Sequence, residues 1–315
     1  MRILVLGGAG FIGAHLTRRL VADGHAVTVV DDFSRGRDDL GYDIIQADLT
    51  DPAAWERIPH GWDQIYHLAA VVGVRNVEKD PARVLRINTL ALSHLLDWLG
   101  QPGARSHDKP GTKLFFASTS EAYAGGVTAG VVPVPTGETV PLHIQDVTAP
   151  RFTYAISKLW GEAAVAHSGL PYVIGRFHNV YGPRMGADHV VPELALRSLK
   201  GEDPFIVYGS EQHRAFCYID DAVEAMVLLM AAPEAVGEIV HIGDDTQETN
   251  IGDLVEIVHG IAGVSPALEI APAPAGSVAR RCPDLTKLRT LTGYSPKVSL
   301  EDGVRRTFDW YRENG

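Results

Sequence analysis

The sequence predicts an α/β fold built on a doubly wound parallel sheet, and three observations support that prediction. Short β-branched runs alternate with amphipathic stretches over the first two-thirds of the 315 residues. The first run leads at once into a glycine-rich turn, which a helical pattern follows. The composition, 45% hydrophobic and 21% charged, is that of a chain that buries a core. Strands that alternate with helices pair in parallel through right-handed crossovers, so we expect helices on both faces of the sheet.

The expected strands are short, apolar and mostly bounded by polar or glycine-containing segments. They are residues 3–6, 26–30, 42–46, 64–68, 113–117 and 172–177, with a further strand at 239–242 that is expected to return to the same sheet. This order predicts a Rossmann-type domain in residues 1–180, completed by about residues 216–245.

The pattern changes after residue 181, where a smaller C-terminal α/β lobe is expected. Pro183, Pro192 and Pro204 interrupt the regular alternation. Helical patterns then follow at residues 222–230, 251–261 and 300–311. We assign residues 181–215 and 246–315 to this lobe and expect it to bind the substrate.

Charge and cysteine content exclude several classes of function. A net charge of −11 disfavours binding to nucleic acid, which needs a basic face. Cys217 and Cys282 lie far apart without metal-ligand spacing, so we expect neither a disulfide nor a metal site, and a reducing cytoplasm fits. The apolar opening at 3–6 is too short for a signal segment, and no segment approaches the roughly 18 apolar residues of a membrane span.

The turn after the first strand predicts a dinucleotide site. It has the sequence Gly7-Gly8-Ala9-Gly10-Phe11-Ile12-Gly13. Gly7 permits the tight turn, Gly10 admits a pyrophosphate, and Gly13 allows close helix–strand packing. Asp31 ends the second strand, where a carboxylate accepts hydrogen bonds from ribose hydroxyls, which favours NAD. Arg35 and Arg37 follow closely and keep NADP as an alternative.

A second polar cluster lies where strand 113–117 ends, in the sequence Ser118-Thr119-Ser120-Glu121. Open α/β sheets bind ligands at this edge. Further along, Tyr154 and Lys158 have the i, i+4 spacing that places them on one helix face. An ammonium at Lys158 is expected to lower the pKa of the Tyr154 phenol and make it a usable base.

With these motifs the chain resembles, over nearly its whole length, the extended short-chain dehydrogenase/reductase family of nucleotide-sugar epimerases, dehydratases and decarboxylases. The resemblance implies that Tyr154 is the base, that Lys158 positions the nicotinamide ribose, and that Thr119, with Ser120 and Glu121, completes the catalytic group. It implies no metal. The cofactor-binding residues that it implies, besides Tyr154 and Lys158, are Gly7, Gly10, Phe11, Ile12, Gly13, Asp31, Asp32, Asp48, Leu49, Leu68, Ala69, Ala70 and Asn88.

The resemblance also implies a nucleotide-sugar pocket in the second lobe. Residues 176–184 are similar to the family segment where this pocket begins, which gives Asn179, His178 and Arg184 as substrate-binding residues. Residues 207–216 are similar to the second substrate strand, whose arginine, here Arg214, clamps the diphosphate.

The family reaction begins with oxidation at the sugar C4, where Tyr154 takes the hydroxyl proton and NAD+ the hydride. Glu121, together with residues 182–185, 213–216 and 281–284, resembles the UDP-glucuronate decarboxylase branch. A UDP-sugar 4-epimerase, a 4,6-dehydratase and a dinucleotide-sensing scaffold without turnover are the alternatives. The resemblance further implies a homodimer formed through helices 82–99 and 154–167.

Overall fold

The computed structural model describes residues 1–37, 41–42, 44–101, 111–273 and 277–315. The strands in chain order are β1 (Arg2–Leu6), β2 (Ala26–Asp31), β3 (Ile44–Gln46), β4 (Gln64–His67), β5 (Lys113–Thr119), β6 (Tyr172–Phe177), β7 (Val180–Tyr181), β8 (Phe205–Tyr208), β9 (His213–Ala215), β10 (Cys217–Tyr218), β11 (Glu238–Ile242), β12 (Glu248–Asn250), β13 (Leu268–Ala271) and β14 (Arg280–Arg281). The α-helices are α1 (Phe11–Ala22), α2 (Val74–Lys79), α3 (Pro81–Gly100), α4 (Ala124–Thr128), α5 (Thr153–Ala166), α6 (Val190–Leu199), α7 (Ile219–Ala231), α8 (Ile251–Ala262), α9 (Thr286–Thr292) and α10 (Leu300–Asn314). Short 3-10 turns lie at Pro52–Arg57, Ser120–Tyr123, Pro150–Phe152 and Pro233–Ala235.

The main sheet has seven strands in the order β11-β6-β5-β4-β1-β2-β3. Strand β1 pairs in parallel with β2 and with β4, and the outer pairs β2–β3 and β4–β5 are also parallel. The predicted Rossmann-type sheet is therefore confirmed, and so is the return of the late strand, which lies beside β6. Because parallel strands end at one edge, the segments after β1, β2, β4 and β5 share that edge.

A buried apolar cluster packs helices onto this sheet. It includes Leu92 of α3, Phe116 of β5 and Ile174 of β6. Gly161 of α5 makes close approach to the sheet possible, because a Cβ there would lie 2.3 Å from Cζ of Phe116. Helices α3 and α5 pack against each other.

The described chain divides into two compact units that interleave in sequence. Unit 1 contains Met1–Ala122, Ile144–Arg176 and Ala225–Val240, and unit 2 contains Tyr123–His143, Phe177–Glu224 and His241–Gly315. Unit 2 holds three small sheets, β10–β7, β12–β9–β14 and β13–β8, and helices α6, α8 and α10, which pack on one another. Within the residues that the structure describes, no helix is long and apolar enough to cross a membrane.

Candidate active site

An open cleft in unit 1 lies at the carboxyl edge of the sheet, beside the segments that follow β1, β2, β3 and β4. Its lining includes most of the predicted cofactor residues. These are Gly7, Gly10, Asp31, Asp32, Asp48, Leu49, Leu68, Ala69 and Ala70. The cleft is also lined by residues that were not predicted to contact the cofactor. These are Val30, Ser34, Arg35, Gly36, Ala47, Thr50, Val71, Asn76, Arg83, Ile87 and Ala91.

The glycine turn fits a bound diphosphate. Gly7 has a φ of +82°, and a Cβ there would lie 2.6 Å from the Ala69 backbone nitrogen. At Gly13 a Cβ would lie 2.2 Å from the Gly7 carbonyl oxygen, so both positions require glycine for internal packing. A Cβ at Gly10 would meet only the Gly7 carbonyl oxygen, at 3.4 Å. The protein itself therefore leaves room at Gly10, and that room faces the cleft.

Helix α1 presents its N-terminus at this turn. Gly10 is its N-cap and makes no side-chain capping bond, and no acidic residue lies in the first turn, which Phe11, Ile12 and Gly13 form. The first N–H groups of a helix lack partners within the helix, and the helix dipole adds positive potential there. The end of α1 can therefore bind the anionic diphosphate of a dinucleotide.

Asp31, which is predicted to bind the ribose hydroxyls, also binds backbone groups of the protein. Its carboxylate accepts hydrogen bonds from the backbone N–H of Ala9, at 3.0 Å, and of Phe33, at 2.8 Å. Burial raises the pKa of this carboxyl above its usual range. A carboxylate has about four acceptor sites, so two such bonds leave capacity for ribose hydroxyls.

Two further segments that line the cleft are fixed by hydrogen bonds. The Asp48 carboxylate accepts from the Thr50 N–H at 2.8 Å and from the Thr50 hydroxyl at 2.7 Å, which fixes the turn after β3. Arg35 donates to the Val72 carbonyl at 2.7 Å and so ties the segment after β2 to the segment after β4. One of the two guanidinium groups that kept NADP as an alternative, that of Arg35, is thus hydrogen-bonded within the protein.

The residues predicted to be catalytic lie on β5, on the 3-10 turn that follows it and on α5. Thr119 ends β5, and its hydroxyl oxygen accepts a hydrogen bond from the Glu121 N–H at 3.2 Å. Ser120 is buried, whereas Glu121 and Tyr154 are half-buried. Tyr154 and Lys158 lie on α5, and the Lys158 Nζ is 5.8 Å from the centroid of the Tyr154 ring and 5.0 Å from that of Phe116.

The electrostatics of the pair differ in one respect from the sequence-based expectation. Burial, and then the charge of Glu121, raise the pKa of the Tyr154 phenol. Burial lowers the pKa of Lys158 to about 8, and Glu162 opposes that shift. The pKa of the phenol is therefore raised where the sequence predicted a lower one, because desolvation disfavours the charged phenolate.

Asn88 lies beside the cofactor cleft but points into the protein. Its Oδ1 accepts from the Val71 N–H at 2.7 Å, and its Nδ2 donates to the Val71 carbonyl at 3.2 Å and to the Ser157 hydroxyl at 3.1 Å. Both amide hydrogens are thereby used. Asn88 holds the segment after β4 against the helix that carries Tyr154 and Lys158.

Unit 2 places the residues predicted to bind substrate on consecutive segments. Asn179 and Arg184 have φ of +40° and +69°, the left-handed region that is uncommon for residues other than glycine. The Asn179 Nδ2 donates to the Ala215 carbonyl at 3.2 Å, and the Cys217 N–H donates to the Asn179 carbonyl at the same distance. These bonds hold the segment between β6 and β7 in its unusual conformation.

Two arginines lie side by side on the three-stranded sheet β12–β9–β14 of unit 2. Arg214 on β9 is the register partner of Arg281 on β14, and both are half-buried. The Arg214 guanidinium donates to the His213 carbonyl at 2.8 Å and to the Gln212 side chain at 3.1 Å. The sequence predicts Arg214 as a diphosphate clamp but gives Arg281 only as part of a motif. The two arginines become neighbours through the pairing of β9 with β14, which no local sequence pattern shows.

The prediction that His178 contacts the substrate does not fit its position. Its side chain is completely buried, and its Nε2 lies 2.6 Å from the Tyr123 hydroxyl. The Tyr123 hydroxyl is also 3.3 Å from Nε2 of the buried His241. His178 therefore supports the backbone next to Asn179 from inside unit 2.

Comparison with known proteins assigns the chain to a family. Residues 3–243 match the model of the NAD dependent epimerase/dehydratase family, and the chain belongs to that family. A UDP-N-acetyl-alpha-D-glucosaminuronate decarboxylase of Bacillus cytotoxicus is 32% identical over 99% of this chain and 98% of its own length. UDP-glucuronic acid decarboxylase 1 of Xenopus tropicalis is 33% identical over 99% of this chain and 72% of its own.

Among solved structures, UDP-glucose 4-epimerase of Thermotoga maritima with UDP-glucose superposes with a TM-score of 0.85. The two chains are 32% identical, and the match covers 99% of each. The predicted family and the NAD cofactor are confirmed, as is the expectation of an NAD-dependent enzyme of the nucleotide-sugar epimerase, dehydratase and decarboxylase class.

Proposed function

We propose that this chain is an NAD-dependent UDP-hexuronate decarboxylase, which oxidises C4 of UDP-glucuronate or a close relative and releases C6 as carbon dioxide. The position of Glu121 carries the proposal. Glu121 follows Thr119 by two residues, is half-buried, and is electrostatically coupled to the Tyr154 phenol. Relatives that match over nearly the whole chain bear decarboxylase names, which supports the same assignment.

The protein side of the first step uses three side chains. In our proposal the Thr119 hydroxyl holds the sugar 4-hydroxyl, and the Tyr154 oxygen takes its proton as general base. The Lys158 ammonium stabilises the phenolate by charge. The α1 N-terminus, Asp31 and the segments after β3 and β4 would hold the dinucleotide, and NAD+, when bound, accepts the C4 hydride.

The second step follows from the chemistry of the oxidised sugar. A ketone at C4 makes the C6 carboxylate a β-keto acid. The C5–C6 bond breaks, its electrons enter the C4–C5 enolate, and carbon dioxide leaves. A proton must then reach C5, and Glu121 is the acidic group that we assign to this transfer.

Arg214 and Arg281 are proposed to bind the diphosphate of the nucleotide. Two guanidinium groups on adjacent strands can donate several charge-assisted hydrogen bonds to phosphate oxygens. Asn179, between β6 and β7, and Arg184, after β7, would bind the sugar or the diphosphate. The predicted cytoplasmic location and homodimer also stay part of this proposal.

A UDP-sugar 4-epimerase is the second candidate. The similarity of the whole chain to the Thermotoga maritima epimerase favours it. In that reaction the same three side chains would oxidise C4, and the ketone would be reduced again on its other face. Glu121 would then have no proton to deliver at C5.

A product assay separates these candidates. We would incubate the purified protein and NAD+ with UDP-glucuronate, UDP-N-acetylglucosaminuronate, UDP-glucose and dTDP-glucose, and measure product mass. Decarboxylation of a uronate predicts a product lighter by one carbon dioxide if the hydride returns to C4, or by one carbon dioxide and two hydrogens if the C4 ketone is retained. An isomer of unchanged mass would show a 4-epimerase, and loss of water from a hexose would show a dehydratase.

Two variants test the assigned roles in the same assay. Glu121→Gln is expected to retain C4 oxidation, seen as nicotinamide absorbance, and to slow formation of the C5-protonated product by about 10²–10⁴-fold. Tyr154→Phe is expected to lose C4 oxidation itself. Formation of the C5-protonated product by Glu121→Gln at the parent rate would remove Glu121 from the mechanism.

A further inference from the structure

A buried charge network in unit 1 lies directly behind the Tyr154–Lys158 pair. Its centre is Glu162 on α5, one helical turn after Lys158. The Glu162 carboxylate accepts from the Arg176 Nε at 2.9 Å and from its Nη2 at 2.7 Å. It also accepts from the Ser118 hydroxyl at 2.5 Å.

All four groups are shielded from water. Lys158 is 3% exposed, Glu162 4%, Arg176 2% and Ser118 2%. In such surroundings a charge interacts strongly with its neighbours, and an uncompensated charge is costly. The two cations of the network, Lys158 and Arg176, therefore both depend on the carboxylate of Glu162.

The network connects β6 with β5 and α5, the two elements that carry Thr119, Tyr154 and Lys158. Ser118 directly precedes Thr119 on β5, Glu162 shares α5 with Tyr154 and Lys158, and Arg176 is on β6. The i, i+4 spacing places Glu162 and Lys158 on one helix face, and the two are electrostatically coupled. The bidentate Arg176 pair fixes the plane of the carboxylate, because both of its oxygens are bound.

We propose that Glu162 is a positioning residue for Lys158: it keeps the buried ammonium charged and in place, while Ser118 and Arg176 hold its carboxylate in the orientation that this requires. The inference rests on the proposed function, in which Lys158 acts on Tyr154. Glu162 acts through Lys158 and touches neither substrate nor cofactor.

The other groups around Lys158 cannot replace Glu162. His67 on β4 is electrostatically coupled to Lys158, whose positive charge helps to lower the pKa of His67. His67 therefore supplies no negative charge to Lys158. Phe116 offers the face of its ring, and Tyr154 is a neutral phenol while protonated. Arg176 is itself positive, and Glu121 is coupled to Tyr154. Among these neighbours Glu162 is the carboxylate that counters the desolvation of Lys158.

The test measures the charge of Lys158 directly, without substrate or NAD. Protein carrying ¹³C at the lysine Cε is titrated by NMR, and the Lys158 resonance is identified by its loss in Lys158→Arg. In Glu162→Gln the carboxylate charge is removed at nearly constant shape. We expect its Lys158 midpoint to fall by about 1–3 pH units, the range in which an adjacent opposite charge acts.

Two further variants complete the design. Glu162→Asp keeps the charge but withdraws it by one methylene, so its midpoint should fall by less than that of Glu162→Gln. This variant also serves if Glu162→Gln does not fold. Glu56→Gln, which removes a carboxylate from an exposed 3-10 turn, should leave the midpoint unchanged.

Folded Glu162 variants with the parent midpoint would overturn the inference, even if they lost activity, because a purely structural role predicts that outcome. The proposed function fails in a different way. If no nucleotide sugar is converted by the parent, the Lys158 titration can still be measured, and it tests the inference by itself.

Discussion

His67 ends β4 inside unit 1, and its burial determines its protonation. The ring is 1% exposed and stacks on Phe116 with centroids 5.9 Å apart. Burial, and secondarily Lys158, lower the pKa of His67 to about 3. The imidazole is therefore neutral in the folded protein, whereas it takes up a proton near pH 6.5 when the chain unfolds.

This difference predicts an acid-sensitive stability. Above pH 6.5 both states are neutral, and as the pH falls toward 3 only the unfolded state gains the proton, so stability is lost in that window. In His67→Phe we expect the loss in unfolding free energy between pH 7 and pH 5 to shrink by about 2 kcal/mol. Urea unfolding at the two pH values measures it.

His167→Gln is the matched control, because His167 is exposed and its removal should leave the pH dependence as it is in the parent. If His67→Phe lost as much stability between pH 7 and pH 5 as the parent does, the assignment of a neutral imidazole to His67 in the folded protein would be wrong.

The geometry of the glycine turn can be predicted from residue types alone. Gly7 and Gly13 belong to one local turn, so the close packing that requires glycine there follows from a few consecutive positions. Asn88 and His178 depend on partners distant in the chain, Ser157 and Tyr123, which no local pattern shows. In place of the ligand contacts predicted for them, their side chains bond to residues of their own unit.

At the level of elements, the packing of α5 on β5 determines where Lys158 lies. Gly161 allows the Phe116 ring to approach the helix, since a Cβ there would lie 2.3 Å from Cζ and 2.9 Å from Cε1 of that ring. The same ring lies under the Lys158 ammonium. A methyl group at position 161 would push the Phe116 ring away from both α5 and the Lys158 ammonium.

Gly161→Ala is therefore expected to destabilise the protein by about 1–3 kcal/mol, the usual cost of overpacking a core. Gly260→Ala on α8 is the control, because nothing lies within 4 Å of its added Cβ. That variant should gain up to about 1 kcal/mol from helix propensity. Thermal or urea unfolding compares them, and equal stabilisation of both would contradict the tight α5–β5 contact.

Periodic elements were predicted because their pattern is local. Strands β1, β2, β4, β5 and β6 and helices α1, α8 and α10 lie close to their expected positions. The segment Tyr123–His143 was not assigned to unit 2 beforehand. Its place depends on distant backbone bonds, such as the Thr136 N–H to the Cys282 carbonyl and the Asp284 N–H to the Thr136 carbonyl.

At the level of the whole molecule, we predict a homodimer. Trp160 lies on α5 and is 40% exposed, whereas other residues of α5 and of its neighbour α3 are buried. Tryptophan is enriched at protein–protein interfaces, so we expect the partner to contact this face of α5. Sedimentation at micromolar concentration should give a dimer for the parent and a monomer for Trp160→Glu.

Exposed Lys79, substituted as Lys79→Glu, controls for the added negative charge and should remain a dimer. A parent protein that sediments only as a monomer would overturn the prediction.

The central claim is that C4 oxidation in this site leads to loss of C6, and release of labelled carbon dioxide from UDP-glucuronate tests it most directly. The substrate carries ¹³C in its carboxylate, and the purified protein is supplied with NAD+. We predict that the parent releases labelled carbon dioxide, that release requires NAD+, and that Tyr154→Phe abolishes it. A parent protein that converts the labelled substrate to an isomer with the label retained would contradict the account.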